Sequence, residues 1–479
     1  MLWVRLCCSY NFKTIFRFAK INSTSLPTHL PQTFLYSLQG APGFDEAEFI
    51  KTHEDAKQVT SIRFNPRKPT TADGHLSIQS IVPWCAAGRY LIERPSFTLD
   101  PVFHGGTYYV QEASSMFIDH ILKHIYNEKP MPQRVLDLCA APGGKSTLLS
   151  AALPDSFIVS NEVIKTRVNI LAENMAKWGN ENVVITNNDP RDFQRLPGYF
   201  DLLVIDAPCS GSGLFRKDND AISEWSEANV QLCSLRQQRI TADTIGSLKQ
   251  DGYLIYSTCS YSVQEDEDIC DWIANQHHLE PVKIPFEPSW SIVETVSKQG
   301  CFGYRFYPDK VEGEGFFVAC FRQPNLVDEY SGYQTTLTSI TKKEQLLAET
   351  FINHPGDYIL TGHKEIIIAS PKKWEEEIAT IAKTLNLRRS GVAVGEVKGK
   401  DLIPHHELAL SHLAADTIPV EVLNKENSLN YLRRQDMTVE MSHKGWTICR
   451  YEDINLGWMK VLPNRVNNYY PLNWRILKQ

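Results

Sequence analysis

The eleven cysteines of this 479-residue chain include no Cys-x-x-Cys pair and form no even framework. That spacing argues against a zinc site and against a secreted disulfide scaffold, and it fits free thiols in a reducing compartment. No apolar run comes near the roughly 18 residues a membrane span needs. Internal repeats and low-complexity runs are missing as well. Residues 1–44 contain no Asp or Glu, only Arg5, Lys13, Arg17 and Lys20. Charge interrupts the first 20 residues too often for a signal-peptide core, although their acid-poor, Arg-containing character gives a weak transit-peptide look. A disordered tail or a wrongly chosen upstream start codon is the blander and favoured account of them.

What is present is a core-forming composition, 42% hydrophobic and 22% charged, on a chain long enough for about three domains. The net charge of −7 is unevenly placed: residues 431–479 carry eight Lys/Arg against four Asp/Glu, which leaves −15 on residues 45–430. Overall acidity therefore does not exclude a nucleic-acid partner, because binding depends on local patches.

Residues 31–110 read as a small mixed segment, with an acidic helix-like stretch, DEAEFIKTHEDA, ahead of SIRFNPRK. From about 115 the pattern alternates β and α. Short buried-strand patterns occur at 135–141, 157–162, 183–189, 200–208 and 252–259, with a helix of about twenty residues expected to end near Lys249. This alternation implies a parallel, doubly wound sheet whose ligands sit at the carboxyl ends of the strands. Residues 340–420 give no clear pattern. Residues 431–479 add seven Trp/Tyr to their basic excess.

The unusual residues collect at those strand ends. CAAPGGKST (139–147) fails as a P-loop because Cys139 stands where the first glycine must be. The Gly-rich turn of Cys139, Ala140, Ala141, Pro142, Gly143, Gly144 and Lys145 still lets backbone N–H groups approach a carboxylate such as that of S-adenosylmethionine; a tight turn with no ligand is an equal alternative. Glu162 after the second strand suits ribose hydroxyls, and Asp189 after the third suits an adenine amino group. Either acid alone is more often a helix cap; with the turn they make a three-point adenosine site. DAPCSGSG (206–213) and YSTCS (256–260) each place a cysteine past a strand end. A lone cysteine there is usually structural, but two of them, one beside Asp206, suit methylation at C5 of a pyrimidine. That carbon is a poor nucleophile until a thiolate adds at C6. Lys145 is one candidate for favouring the anion.

VLDLCAAPGGK, DAPCSGSG and YSTCS, in this order, resemble the NOL/NOP/sun family of RNA cytosine-5 methyltransferases, and within it the RsmF-type enzymes of 16S ribosomal RNA. IQSIVPWCAAGRYLIERP, YYVQEASSM, FRKDNDAISEW and the tail from YLRRQDM are similar to that subgroup as well, so the likeness spans roughly 30–479. The resemblance implies an α/β, Rossmann-like methyltransferase domain (115–325) between a small N-terminal RNA-binding domain (31–114) and a C-terminal PUA-like domain (426–479). Residues 326–425 would be an intermediate region and 1–30 an extra tail. It implies Cys259 as nucleophile and Cys209 assisting release. It also implies S-adenosyl-L-methionine contacts from Cys139 through Lys145, Glu162, Asp189 and Asp206. The expected partner is 16S rRNA or the small ribosomal subunit, with no metal and no membrane, in a cytoplasmic monomer. Two other readings stand beside it: an S-adenosylmethionine enzyme acting at another position, and a catalytically silent rRNA-binding assembly factor.

Overall fold

The computed structural model describes residues 30–55, 57–68, 75–332, 337–437 and 443–478. The tail expected over 1–30 therefore lies, apart from Leu30, outside the described residues.

Five strands follow the apolar runs: β5 (Arg134–Asp137), β6 (Phe157–Asn161), β7 (Val183–Thr186), β8 (Phe200–Asp206) and β9 (Leu248–Thr258). They pair in parallel in the order β9-β8-β5-β6-β7. Both faces are covered, which is why the runs are continuously apolar rather than alternating. Val135, Ile158 and Val204 pack with Leu148, Leu171 and Met175 on one face; Leu136, Val159 and Leu203 pack with Ile240, Ile269 and Ile273 on the other. The sheet is mixed, not wholly parallel. β10 (Val293–Val296), β11 (Phe302–Phe306) and β12 (Phe316–Arg322) extend it antiparallel beyond β9. At the other edge, Leu387–Arg389 pairs antiparallel with β7. The long helix ends at Thr244, not near Lys249, which lies in β9. There the Thr244 hydroxyl bonds back to the Ile240 carbonyl and the Ser247 hydroxyl to that of Thr244, closing the helix in a tight turn.

Ahead of this domain stand two helices, α1 (Gln32–Ser37) and α2 (Glu46–Glu54), the second capped by the Asp45 carboxylate. An antiparallel sheet follows, ordered β2-β3-β1-β4, from β1 (Thr60–Phe64), β2 (Ile78–Val82), β3 (Cys85–Leu91) and β4 (Tyr108–Val110). The stretch without a clear sequence pattern forms a four-stranded antiparallel sheet over 358–404. The last sheet begins at Val420–Leu423, which pairs in parallel with Gly445–Tyr451.

Candidate active site

β5 lies at the point where the strand order reverses, so its carboxyl end opens into a crevice beside β8. Across that edge Asp189, Glu162, the Gly-rich turn, Asp206 with Cys209, and Cys259 follow β7, β6, β5, β8 and β9 in turn. At about 4.8 Å per strand the row runs about 19 Å. The structure thus brings every expected site residue to one sheet edge.

After helix α3 (Phe117–Ile125), the Gly-rich turn enters helix α4 (Gly144–Ala152) through Gly143 at φ +115°, a conformation that favours glycine. Its carbonyls are tied back by side chains. Arg167 donates to the Ala141 carbonyl, Asn174 Nδ2 to that of Pro142 at 2.8 Å, and Arg63 Nη2 to that of Gly144 at 3.4 Å. The first N–H groups of α4 have no partner within the helix. Glu162 accepts from the Ile164 N–H at 2.8 Å and pairs with Arg167 at 3.4 Å, with its side chain only 3% exposed. Asp189 is looser: it caps the following turn through Arg191 N–H and faces Arg191 and Arg239 at 3.9 and 3.8 Å. A Gly-rich N-terminus for a carboxylate and two acids for hydroxyl or amino groups fit an amino-acid-bearing nucleoside.

The two thiols meet: Cys209 Sγ and Cys259 Sγ are 3.0 Å apart. The approach depends on Gly213, where an added Cβ would lie 2.7 Å from the Cys259 carbonyl oxygen and 2.5 Å from that of Gly315. Cys209 is held protonated, first by its contact with Cys259 and then by burial. Asp206 pairs with Lys145 Nζ at 2.7 Å and accepts from Ser257 Oγ at 2.9 Å, and its side chain is 36% exposed.

Comparison with known proteins agrees along the chain. Residues 126–322 match the family described as 16S rRNA methyltransferase RsmB/F. Residues 30–113 match the N-terminal domain of 16S rRNA methyltransferase RsmF, and 420–476 the methyltransferase RsmF PUA domain. Ribosomal RNA small subunit methyltransferase F of an Aliivibrio fischeri strain is 30% identical over 408 residues, covering 81% of this chain and 84% of that one. The protein of the same name from Psychromonas ingrahamii is 29% identical over 473 residues, covering 93% and 97%. The chain belongs to the RsmF family of 16S rRNA methyltransferases. Its core has the fold of S-adenosylmethionine-dependent methyltransferases. NSun6 from Pyrococcus horikoshii, solved with the ligand SFG, matches that fold at a TM-score of 0.51 and 17% identity, over 63% of this chain and all of that one.

Within this RsmF-family site the Lys145 ammonium is paired with Asp206, and the group touching Cys259 Sγ is the Cys209 thiol. The sequence reading missed three contributors. Asp137, fully buried at the end of β5, accepts from Ser146 Oγ at 2.6 Å, and burial pushes its carboxyl up to about 7. Arg63 reaches the turn from β1. Glu265 lies beneath both cysteine loops and accepts from Ser260 Oγ at 2.6 Å. Asp137 stands inside the VLDLCAAPGGK motif, Glu265 carried only the signal of an acid beside a motif, and Arg63 carried none. Among the described residues, no His/Cys/Asp/Glu group is arranged to hold a metal ion, and no helix is long and apolar enough to cross a membrane.

Proposed function

We propose that this RsmF-family protein methylates C5 of a cytosine in 16S rRNA through a covalent bond between Cys259 and C6, with Cys209 assisting release. The observation that carries this reading is the 3.0 Å meeting of the two thiols, one of them three residues beyond Asp206 at the end of the same strand. The turn from Cys139 to Lys145, with Glu162, Asp189 and Asp206, would hold S-adenosylmethionine, which when bound supplies the electrophilic methyl group.

A cytosine must leave its stack to present C6. The Cys259 thiol gives up its proton to water and its sulfur adds to C6, which moves electron density to C5, the atom that takes the methyl. Asp206 hydrogen-bonds the base at N3 or at the amino group and so orients the ring for the attack. Loss of the C5 proton to a base or water re-forms the C5–C6 double bond as the C6–S bond breaks. Cys209, held as a thiol, donates to the departing Cys259 sulfur and stabilises it as a leaving group. The aromatic and basic C-terminal sheet contributes to RNA capture.

The test is covalent trapping. Cys259→Ala should be inactive and leave RNA free. Cys209→Ala should hold RNA in a complex that survives denaturing electrophoresis, and adding Cys259→Ala should abolish it. Trapping by Cys259→Ala instead would reverse the roles. Full methylation by both single variants would overturn the covalent mechanism.

A further inference from the structure

Beneath the thiols sits a carboxylate that the proposed chemistry does not use. Glu265 is fully buried. Its Oε1 accepts from the Ser210 backbone N–H at 2.8 Å and from Gln237 Nε2 at 3.2 Å. Its Oε2 accepts from the Ser260 hydroxyl at 2.6 Å and from the Ser210 hydroxyl. Ser210 directly follows Cys209, and Ser260 directly follows Cys259, so one side chain holds the residue after each thiol. Two of the four partners are N–H groups that can only donate, and the two hydroxyls complete the set on the other oxygen.

The backbone that carries Glu265 is anchored independently. Tyr256 OH donates to the Glu265 carbonyl at 2.7 Å, and Thr258 Oγ1 donates to Asp266 Oδ1 at 2.6 Å. Arg305 pairs with Asp266 at 3.3 Å and also with Glu267. Removing the Glu265 carboxylate therefore removes the shared hold on Ser210 and Ser260 without releasing the turn that bears it, while the bonds from Gly213 N–H to the Cys259 carbonyl at 2.8 Å and from Tyr261 N–H to Ser212 Oγ at 3.0 Å keep the two loops side by side.

We infer that Glu265 is a positioning residue that sets the two thiol-bearing loops in mutual register, so that the Cys209 thiol meets the Cys259 sulfur. This rests on the proposed roles of the two cysteines, but the register itself is measurable without methylation. Diamide oxidises two adjacent thiols to a disulfide, taking up both protons and both electrons as it becomes the hydrazine. The rate at which Cys209 and Cys259 pair, read by mass spectrometry of the linked peptide, reports how they are held.

Glu265→Ala should slow this pairing about 10–100-fold and lower kcat for methylation by a similar factor, the scale on which small misplacements act. KM for RNA and calorimetric S-adenosylmethionine affinity should stay within about twofold of wild type, because neither ligand touches Glu265. Glu265→Gln should recover part of both rates, since its oxygen can face the Ser210 and Gln237 N–H donors while its amide donates to hydroxyls that can turn. The inference is overturned if Glu265→Ala pairs its thiols and turns over at the wild-type rate. It is equally overturned if Glu265→Gln and Glu265→Ala fail alike and both lose cofactor binding, which would mark general disruption. If instead the cysteines are not catalytic, Cys259→Ala keeps methylation while the pairing rate still responds to Glu265, so the two failures are separable.

Discussion

Three carboxylates crowd the carboxyl ends of β5, β6 and β8, and their partners are unequal. Asp206 has Lys145 and Ser257; Glu162 has the Ile164 N–H and Arg167. Asp137 has Ser146 Oγ on one oxygen and no partner on the other. Burial raises its pKa from 3.8 to about 7, so the folded protein binds this proton more tightly than the unfolded chain. The contribution is present below about pH 4 and lost as pH rises through about 7. Unfolding free energy from urea titrations should therefore fall between those values by up to about 4 kcal/mol, and Asp137→Asn should flatten that stretch. An unchanged slope in the variant would place the titration elsewhere. Glu162→Ala and Asp189→Ala should each weaken S-adenosylmethionine binding by about 1.5–3 kcal/mol, read by calorimetry. Glu162→Ala should show the larger loss, because its carboxylate also holds the backbone of the Gly-rich turn.

At the scale of elements, β5 to β9 and the residues at their ends were legible because each signal is local. A continuous apolar run marks a strand buried on both faces, and an acid, glycine or thiol just beyond it marks the functional edge. The antiparallel additions were not legible. β10 to β12 join β9 through pairings that no local pattern dictates, and Leu387–Arg389 reaches β7 from some two hundred residues away. Arg63 shows the same limit in the site. It is 2% exposed, stacks over Trp178 at 4.7 Å, and donates to Gln111 Oε1 at 2.8 Å and Thr147 Oγ1 at 2.6 Å. In the sequence it is one charged residue in a strand of the N-terminal sheet, and nothing there shows that it grips the first turn of α4. Arg63→Met keeps the apolar stem but leaves Gln111 and Thr147 without their donor, at a cost of about 1–3 kcal/mol for each buried group. Thermal unfolding should fall accordingly, and S-adenosylmethionine affinity should fall with it because the turn loses one of its three side-chain ties. Loss of stability with unchanged affinity would confine Arg63 to the domain contact.

The whole molecule is tied together at its two ends. Ile62, Leu91 and Tyr108 of the N-terminal sheet share one apolar cluster with Tyr431, Cys449, Leu456 and Tyr470 of the C-terminal one. Trp458, fully buried, joins Ile448 in a second cluster with the sheet over 358–404. The C-terminal aromatics thus divide: Trp458, Tyr431, Tyr451 and Tyr470 are buried, while Trp446, Tyr469 and Trp474 keep an exposed side. Deleting residues 420–479 would bare the N-terminal half of the shared core, so lost RNA binding in a truncated protein would report misfolding as readily as a lost contact. Point changes on the exposed side avoid this. Lys460 Nζ lies 5.0 Å from the Trp446 ring centre, and Tyr469 packs against that ring at 4.5 Å, a basic and aromatic pairing suited to phosphate and a stacked base. Lys460→Ala should weaken binding of a 16S rRNA fragment and reduce the slope of log affinity against log salt by about one unit, as one phosphate contact is lost. Trp446→Ala should weaken binding with little change in slope, because stacking displaces no counterion. Lys460→Ala should unfold within a few degrees of the wild-type temperature, and Trp446→Ala, which removes a half-buried ring packed beside Trp458, should lower that temperature while leaving a cooperative transition. If affinity and slope stay at wild-type values in both, this face of the C-terminal sheet does not hold RNA.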